Sequence, residues 1–320
     1  MKRKVNLVGV NTLTVSLPNK FVEANNIQKG EELEATVQNN KIIYSKDSLK
    51  LEEKEVEINI DKFTFFSLSR YLTTIYRSGY KKVTLIHSNQ DIIHNQKGKL
   101  PLHYSKVNSK SVINWMTNRL PGAEIVSQTS KKTIIEFILE DKTRDLDKIK
   151  SRVIFLINET MNELLNTINK NYKEFHKNIY DHHDNIVHFI NYYLRELSQS
   201  NLNEDIKRII FSKYIVIDKL IDKIRHLSKR IDEFKSTEKT RKYIELTFNL
   251  FSKMLEQKRI EDIETIYQEA QSIKSKRDKD KFTSDEMRVI AELDWFLNCQ
   301  GIFAEAAIQE SLFNKVEYKE

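Results

Sequence analysis

One cysteine, three prolines and six glycines are spread through a chain of 320 residues. Cys299, standing alone, rules out an intrachain disulfide framework and a cysteine-built zinc site, and it fits a reducing compartment. So little glycine and proline leaves scant material for tight turns. That argues against an all-β architecture and against the glycine-rich phosphate loops of nucleotide enzymes. Long apolar runs are missing too, since no stretch approaches the roughly 18 residues of a membrane span. Basic residues at Lys2 to Lys4 precede Val5 to Leu17 in the manner of a signal peptide. However, Asn6, Asn11, Thr12, Thr14 and Ser16 interrupt the apolar run, and no small-residue cleavage site follows. The expected location is the cytoplasm, without membrane insertion. Ser/His/Asp order, Gly-x-Ser-x-Gly elbow, Walker loop and His-Glu-x-x-His are all absent, so no enzymatic activity is expected.

What is present suits folded domains. Hydrophobic residues make up 39% of the chain and charged residues 31%, a balance of real cores with wet helix faces. The length suits two or three domains. A formal net charge of +7 allows a polyanionic partner, and position is more telling than the total. Lys2, Arg3, Lys4 and Lys20 fall in the first twenty residues, where no acid dilutes them.

Three segments follow from the periodicities. In the first, about 1–48, Val5 and Leu7, then Leu13, Val15 and Leu17, alternate as strands around a Gly9-Val10-Asn11 turn. A short helix follows Pro18. Two more strands, Glu31 to Val37 and Lys41 to Ser45, are joined by Asn39-Asn40. So small a unit buries little of its own surface and is expected to need a second copy. The second segment, about 52–141, alternates strand and helix: strand 55–60, helix 63–77, strand 82–87, a polar loop around Lys97-Gly98-Lys99, helix 109–119, and strands 124–128 and 132–139. His87, His94 and His103 are scattered through it without metal-ligand spacing and read as ordinary polar residues. The third, about 144–316, is helical throughout. Ile149, Val153, Leu156, Ile157, Leu164 and Ile168 set one buried stripe, and two sets of three long helices, about 144–235 and 239–316, suggest a tandem repeat. The expected fold class is multidomain α+β: a small β unit, a small α/β domain and a six-helix bundle.

Two resemblances sharpen this. Leu13-Thr-Val-Ser-Leu-Pro-Asn-Lys-Phe followed by Ile27-Gln-Lys-Gly-Glu-Glu-Leu resembles the swapped-hairpin DNA-binding domain of the AbrB, MazE and SpoVT group. The resemblance implies an obligate homodimer whose interleaved strands close one barrel, with basic residues of the first strand and its turn laid on double-stranded DNA. Val216-Ile-Asp-Lys-Leu-Ile-Asp-Lys-Ile and Asp294-Trp-Phe-Leu-Asn-Cys-Gln-Gly-Ile-Phe-Ala-Glu-Ala-Ala-Ile resemble the two signature repeats of the PhoU family of phosphate-uptake regulators. Arg70 to Tyr80 and Leu120-Pro-Gly-Ala-Glu-Ile resemble the segment that joins two such domains in archaeal-type members.

The DNA-contact candidates are Lys2, Arg3, Lys4, Asn11 and Lys20, set against the alternative of a solvated basic strand on a dimerisation module. Asp218 and Asp222 lie four apart on one helix. The second resemblance implies that such a pair, with Asp294 in the other repeat, takes part in binding iron or zinc at the surface. A helical wheel puts both aspartates off the centre of the buried stripe, which equally permits a wet face. Asn298 and Val187 stand where that pattern would supply acids, so at most substoichiometric metal is expected. Asp181-His-His-Asp184 with His188 is a denser ligand-type group on one helix. Trp115 and Trp295 are expected to be packing residues. The leading expectation is a DNA-binding transcriptional regulator of phosphate uptake or of metal and phosphate homeostasis. The alternatives are a signalling adaptor docking on a transporter ATPase or sensor kinase, with an N-terminal module that only dimerises, and a metal-buffering bundle.

Overall fold

The computed structural model describes residues 2–38, 41–46, 54–88, 91–96, 103–138, 145–168, 170, 172–200, 202–257, 259 and 261–317. The chain divides into two compact units, Met1–Glu52 and Glu53–Glu320.

The first unit holds two hairpins and a short helix. Strand β1 (Val5–Val8) pairs antiparallel with β2 (Thr12–Val15), Val5 facing Val15 and Val8 facing Thr12. Gly9 opens the turn between them at φ +67°, a left-handed conformation that glycine adopts without steric cost. Pro18 stands just before α1 (Asn19–Ala24), where its fixed φ suits helix entry, and its carbonyl accepts from the amides of Phe21 and Val22. Asn25 closes that helix, its side chain bonded back to the Phe21 carbonyl at 2.8 Å. Strands β3 (Glu34–Gln38) and β4 (Lys41–Ser45) form the second hairpin. The expected Asn39-Asn40 turn lies outside the described residues. The third strand begins at Glu34 rather than Glu31 because Glu31 is held in a turn, its carboxylate accepting from the Gln28 amide at 3.0 Å. Each hairpin is a separate two-stranded sheet.

The second unit carries two cores. In the first, strands β5 (Glu55–Asn59), β6 (Lys82–Ile86), β9 (Ala123–Gln128) and β10 (Lys132–Phe137) form a sheet ordered β5-β6-β10-β9. β5 and β6 are parallel and joined by helix α2 (Phe65–Arg77), while the β6-β10 and β10-β9 pairs are antiparallel. Thr64 caps α2 in a reciprocal box with Ser67, and Asn108 caps α3 (Ser109–Thr117), each worth about 1 kcal/mol of helix stability. Leu68, Leu72, Val83, Leu85, Ile113 and Ile135 fill the space between sheet and helices. A hairpin of β7 (Asp91–Gln96) and β8 (His103–Asn108) was not expected from the sequence, which reads there as polar loop. Its register puts Ile92 opposite Val107. Lys97-Gly98-Lys99, expected as a polar loop, and the side chains of His94 and His103 lie outside the described residues. His87 is buried, its Nε2 3.1 Å from the Thr133 hydroxyl.

The second core is helical: α4 (Leu146–Thr167), α5 (Tyr172–Gln199), α6 (Glu204–Phe234), α7 (Glu238–Glu256) and α8 (Glu261–Lys279). The sixth expected helix is three pieces, α9 (Ser284–Ile290), α10 (Asp294–Asn298) and α11 (Gln300–Glu317). At the first break the amides of Glu292 and Leu293 bond three residues back, to Val289 and Ile290, so a tighter turn interrupts the α-helical ladder. One continuous core from Val153 to Phe303 runs through both expected three-helix sets. No helix among the described residues is long and apolar enough to cross a membrane.

Candidate functional site

Two places gather the residues that the sequence singles out. The first is the N-terminal unit. Lys2, Arg3 and Lys4 directly precede β1, Asn11 sits in the β1–β2 turn, and Lys20 lies on the first turn of α1; all five are exposed. Lys46, by contrast, is spent internally. It donates to the carbonyls of Asn25 and Asn26 at 3.1 and 2.9 Å and pairs with Glu31 at 3.3 Å, tying the end of β4 to the end of α1. No residue of this unit whose burial is described is buried. Val5, Leu7, Val8, Leu13 and Val15 on the first hairpin, with Ile42 and Ile43 on the second, expose their side chains, and Val10 at the turn is 88% exposed. Exposed apolar side chains grouped in this way are a surface available for burial against another chain.

The second place is where α2 packs on α5, with Arg77 reaching Asp218 on α6 and Arg119, just after α3, reaching Asp184 on α5. Asp218 is 6% exposed, not at the surface. Its carboxylate accepts from Arg77 Nη2 at 3.2 Å, while Arg77 Nε donates to Asn191 Oδ1 at 2.8 Å. The wheel missed this because it knows only the bundle's own stripe, and α2 lies against the polar face of α5. Burial draws the Arg77 pKa down, against the pull of Asp218. Asp222 accepts from His183 Nε2 at 3.0 Å and from Arg225 Nη2 at 3.1 Å, with Lys219 3.6 Å away. Burial opposes its charge, but the His183 hydrogen bond and the neighbouring cations hold its carboxyl well below the usual carboxylate range. The Nδ1 of His183 lies 2.9 Å from Asp184, which also pairs with Arg119. Burial works against the imidazolium, yet the two carboxylates outweigh it and raise the His183 pKa.

Asp294, the third candidate ligand, pairs with Arg277 and not with Asp218 or Asp222. Each of the three aspartates therefore faces a cation that would have to be displaced, and the donor set does not fit iron or zinc. Among the described residues no group of three or more His, Cys, Asp or Glu is placed to hold a metal. The Asp181–Asp184 cluster diverges in the same way: His182 reaches Glu163 on α4 at 3.1 Å while His183 reaches Asp222 on α6. Trp115 and Trp295 are half exposed and not core. Arg119 stacks 4.4 Å from the first ring and Lys223 4.5 Å from the second, so cations cover faces that the core does not.

Arg195 went unnoticed in the sequence. It is 2% exposed and donates from Nη1 to the carbonyls of Tyr76 and Tyr80 at 2.9 and 2.8 Å. It thereby caps the C-terminal end of α2 from within α5, where a cation suits the helix dipole. Tyr193 to Leu197 are five consecutive buried positions, which shows that α5 is covered on more than one face.

Residues 9–50 match the family model described as antidote-toxin recognition MazE, bacterial antitoxin. The match covers the N-terminal unit, including Asn11 and Lys20, and starts after Lys2, Arg3 and Lys4. The chain matches no curated protein and no solved structure. The N-terminal unit is thus a MazE- and AbrB-like domain, and the phosphate-regulator resemblance of the helices finds no support in these comparisons.

Proposed function

We propose that the protein is a non-catalytic, dimeric DNA-binding transcription regulator. In this reading the hairpins of two chains close one shared β structure and present their basic arms to a duplex. The observation that carries the proposal is the N-terminal unit itself: apolar strands with no buried residue among those whose burial is described, beside Lys2, Arg3, Lys4, Asn11 and Lys20, all exposed. Apolar strand faces without a core call for a second copy, and unopposed cations on a two-fold unit supply phosphate neutralisation on both half-sites. Control of phosphate uptake or of metal and phosphate homeostasis is the finer part of the proposal and rests on the sequence resemblance around Val216–Ile224 and Asp294–Ile308 alone.

A second reading is favoured by the description of the matched family, which speaks of toxin recognition. There the N-terminal unit dimerises and its basic arm serves a protein partner. A related reading makes the helical unit an adaptor on a transporter or kinase. Sequencing of genomic fragments retained by the purified full-length protein separates these readings. Enrichment of a short pseudo-palindromic site, as two-fold symmetry demands, supports the regulator. Fragments retained without sequence preference, and released together at moderate salt, would count against it.

A further inference from the structure

Residues of α2, α3, α5 and α6 line a half-open cavity of about 170 Å³ in the second unit. That is many times the roughly 10–15 Å³ that one water needs. Five cations line it: Arg70 and Arg77 from α2, Arg119 just after α3, and Lys219 and Arg225 from α6. Asp218 and Asp222 share the lining, and Asp184 pairs with Arg119 beside it. His183 also lines the cavity, between Asp184 and Asp222; leaving its imidazole aside, five positive charges meet three carboxylates, a surplus of two within one small space.

The surplus is placed with donors to spare. Arg70 stacks on Phe66 at 5.3 Å, and no carboxylate pairs with it among the described residues. Arg225 gives Nη2 to Asp222, but its Nε is buried with no hydrogen-bond partner. An orphaned guanidinium N–H is costly unless something accepts from it. Arg119 lies over the Trp115 ring, 4.4 Å from its centre, and Arg77 is fixed by Asp218 and Asn191. Arg77, Arg119 and Arg225 are thus held in place by their partners while Arg70 stands at the exposed rim, an arrangement that suits bidentate recognition of a tetrahedral or planar oxyanion.

We propose that this cavity binds a phosphoryl group carrying two negative charges, either as inorganic phosphate or as the terminal group of a small metabolite. Such a ligand would neutralise the surplus, accept from Arg225 Nε and Arg70, and bridge the α/β layer to the bundle. The cavity lies wholly within residues 69–225, so the proposal stands independently of whether the N-terminal unit binds DNA.

The test is calorimetric titration of the full-length protein at constant ionic strength with inorganic phosphate, glycerol 3-phosphate and, as a monoanionic control, nitrate. Saturable binding of one phosphate or one glycerol 3-phosphate per chain, with nitrate silent, is expected. Phosphate as the tighter ligand assigns the free ion, and glycerol 3-phosphate as the tighter one assigns an esterified source. Arg70→Gln and Arg225→Gln should each weaken binding by about tenfold, the loss of one charge-assisted hydrogen bond. Lys274→Gln, which contacts Asn298 elsewhere in the bundle, should leave it unchanged. Arg70 is exposed, so Arg70→Gln keeps the test valid even where Arg225→Gln disturbs the fold. Absence of saturable binding, equal binding of nitrate, or an unaltered affinity in Arg70→Gln would each overturn the proposal.

Discussion

The two units use their cations in opposite ways. In the first, Lys2, Arg3, Lys4 and Lys20 are exposed, while no described residue supplies a core. In the second, two cores are complete, and arginines are drawn inside to hold one layer on the other: Arg77 on Asp218 and Asn191, Arg195 on the carbonyls of Tyr76 and Tyr80. A charge taken inside acts as structure and is expensive to remove. A charge left outside contributes little to the fold, and its removal leaves the fold intact.

The largest effect should come from breaking the inner kind. Arg195→Ala leaves two carbonyls at the end of α2 without their donor and empties a site stacked against Tyr76 and Phe137. A loss of roughly 3–5 kcal/mol in urea unfolding of the second unit is expected. An unshifted midpoint would show that the two layers do not depend on that arginine. Next in size is the outer unit's association. Leu7→Asp with Leu13→Asp places a charge on each strand of the first hairpin, in cross-strand register, on a face that we assign to the dimer. Sedimentation should then show a monomer where the parent is a dimer, with the urea midpoint of the second unit unmoved. A dimeric mass in the double variant would contradict that assignment.

Much of this contrast was legible in the sequence. The parity of Val5, Leu7, Leu13 and Val15, with glycine between, marks the first hairpin, and the spacing of Val153, Leu156, Ile157 and Leu164 marks α4, because period two and period 3.6 survive in the residues themselves. Asp218, Arg195 and the junction cavity were not legible, because a helical wheel describes one neighbour, whereas α5 also packs under α2 and Asp218 on α6 is met by Arg77 from α2. The apolar stripe of α5 packs on α4 and α6, and its polar residues pack under α2. The β7–β8 hairpin escaped for a different reason: Asp91, Asn95, Gln96 and Ser105 dilute the alternation that a strand would show. The break at Glu292-Leu293 carries no glycine or proline to announce it.

A smaller effect sharpens the comparison through pH. Burial opposes the His183 imidazolium, but hydrogen bonds to Asp184 and Asp222 raise its folded pKa above the ordinary 6.5. A raised histidine pKa contributes stability that is fully present below 6.5 and is lost as pH rises from there through the folded value. The stability deficit of His183→Gln should therefore be greatest at pH about 6 and shrink towards pH about 9, read from urea midpoints. A deficit that grew with pH would reverse the sign and place a neutral imidazole in the folded state.

The central claim, that the free cations of the first unit serve DNA, is tested most directly by the salt dependence of duplex binding. Each phosphate neutralised contributes about −0.9 to the slope of log affinity against log salt on B-DNA. Arg3→Ala with Lys4→Ala removes up to two contacts per chain, doubled in the dimer. The account predicts weaker binding to every sequence and a slope flatter by up to about four units, with dimeric mass and helical content unchanged. A parent protein that binds duplex no better than the double variant at low salt would contradict it.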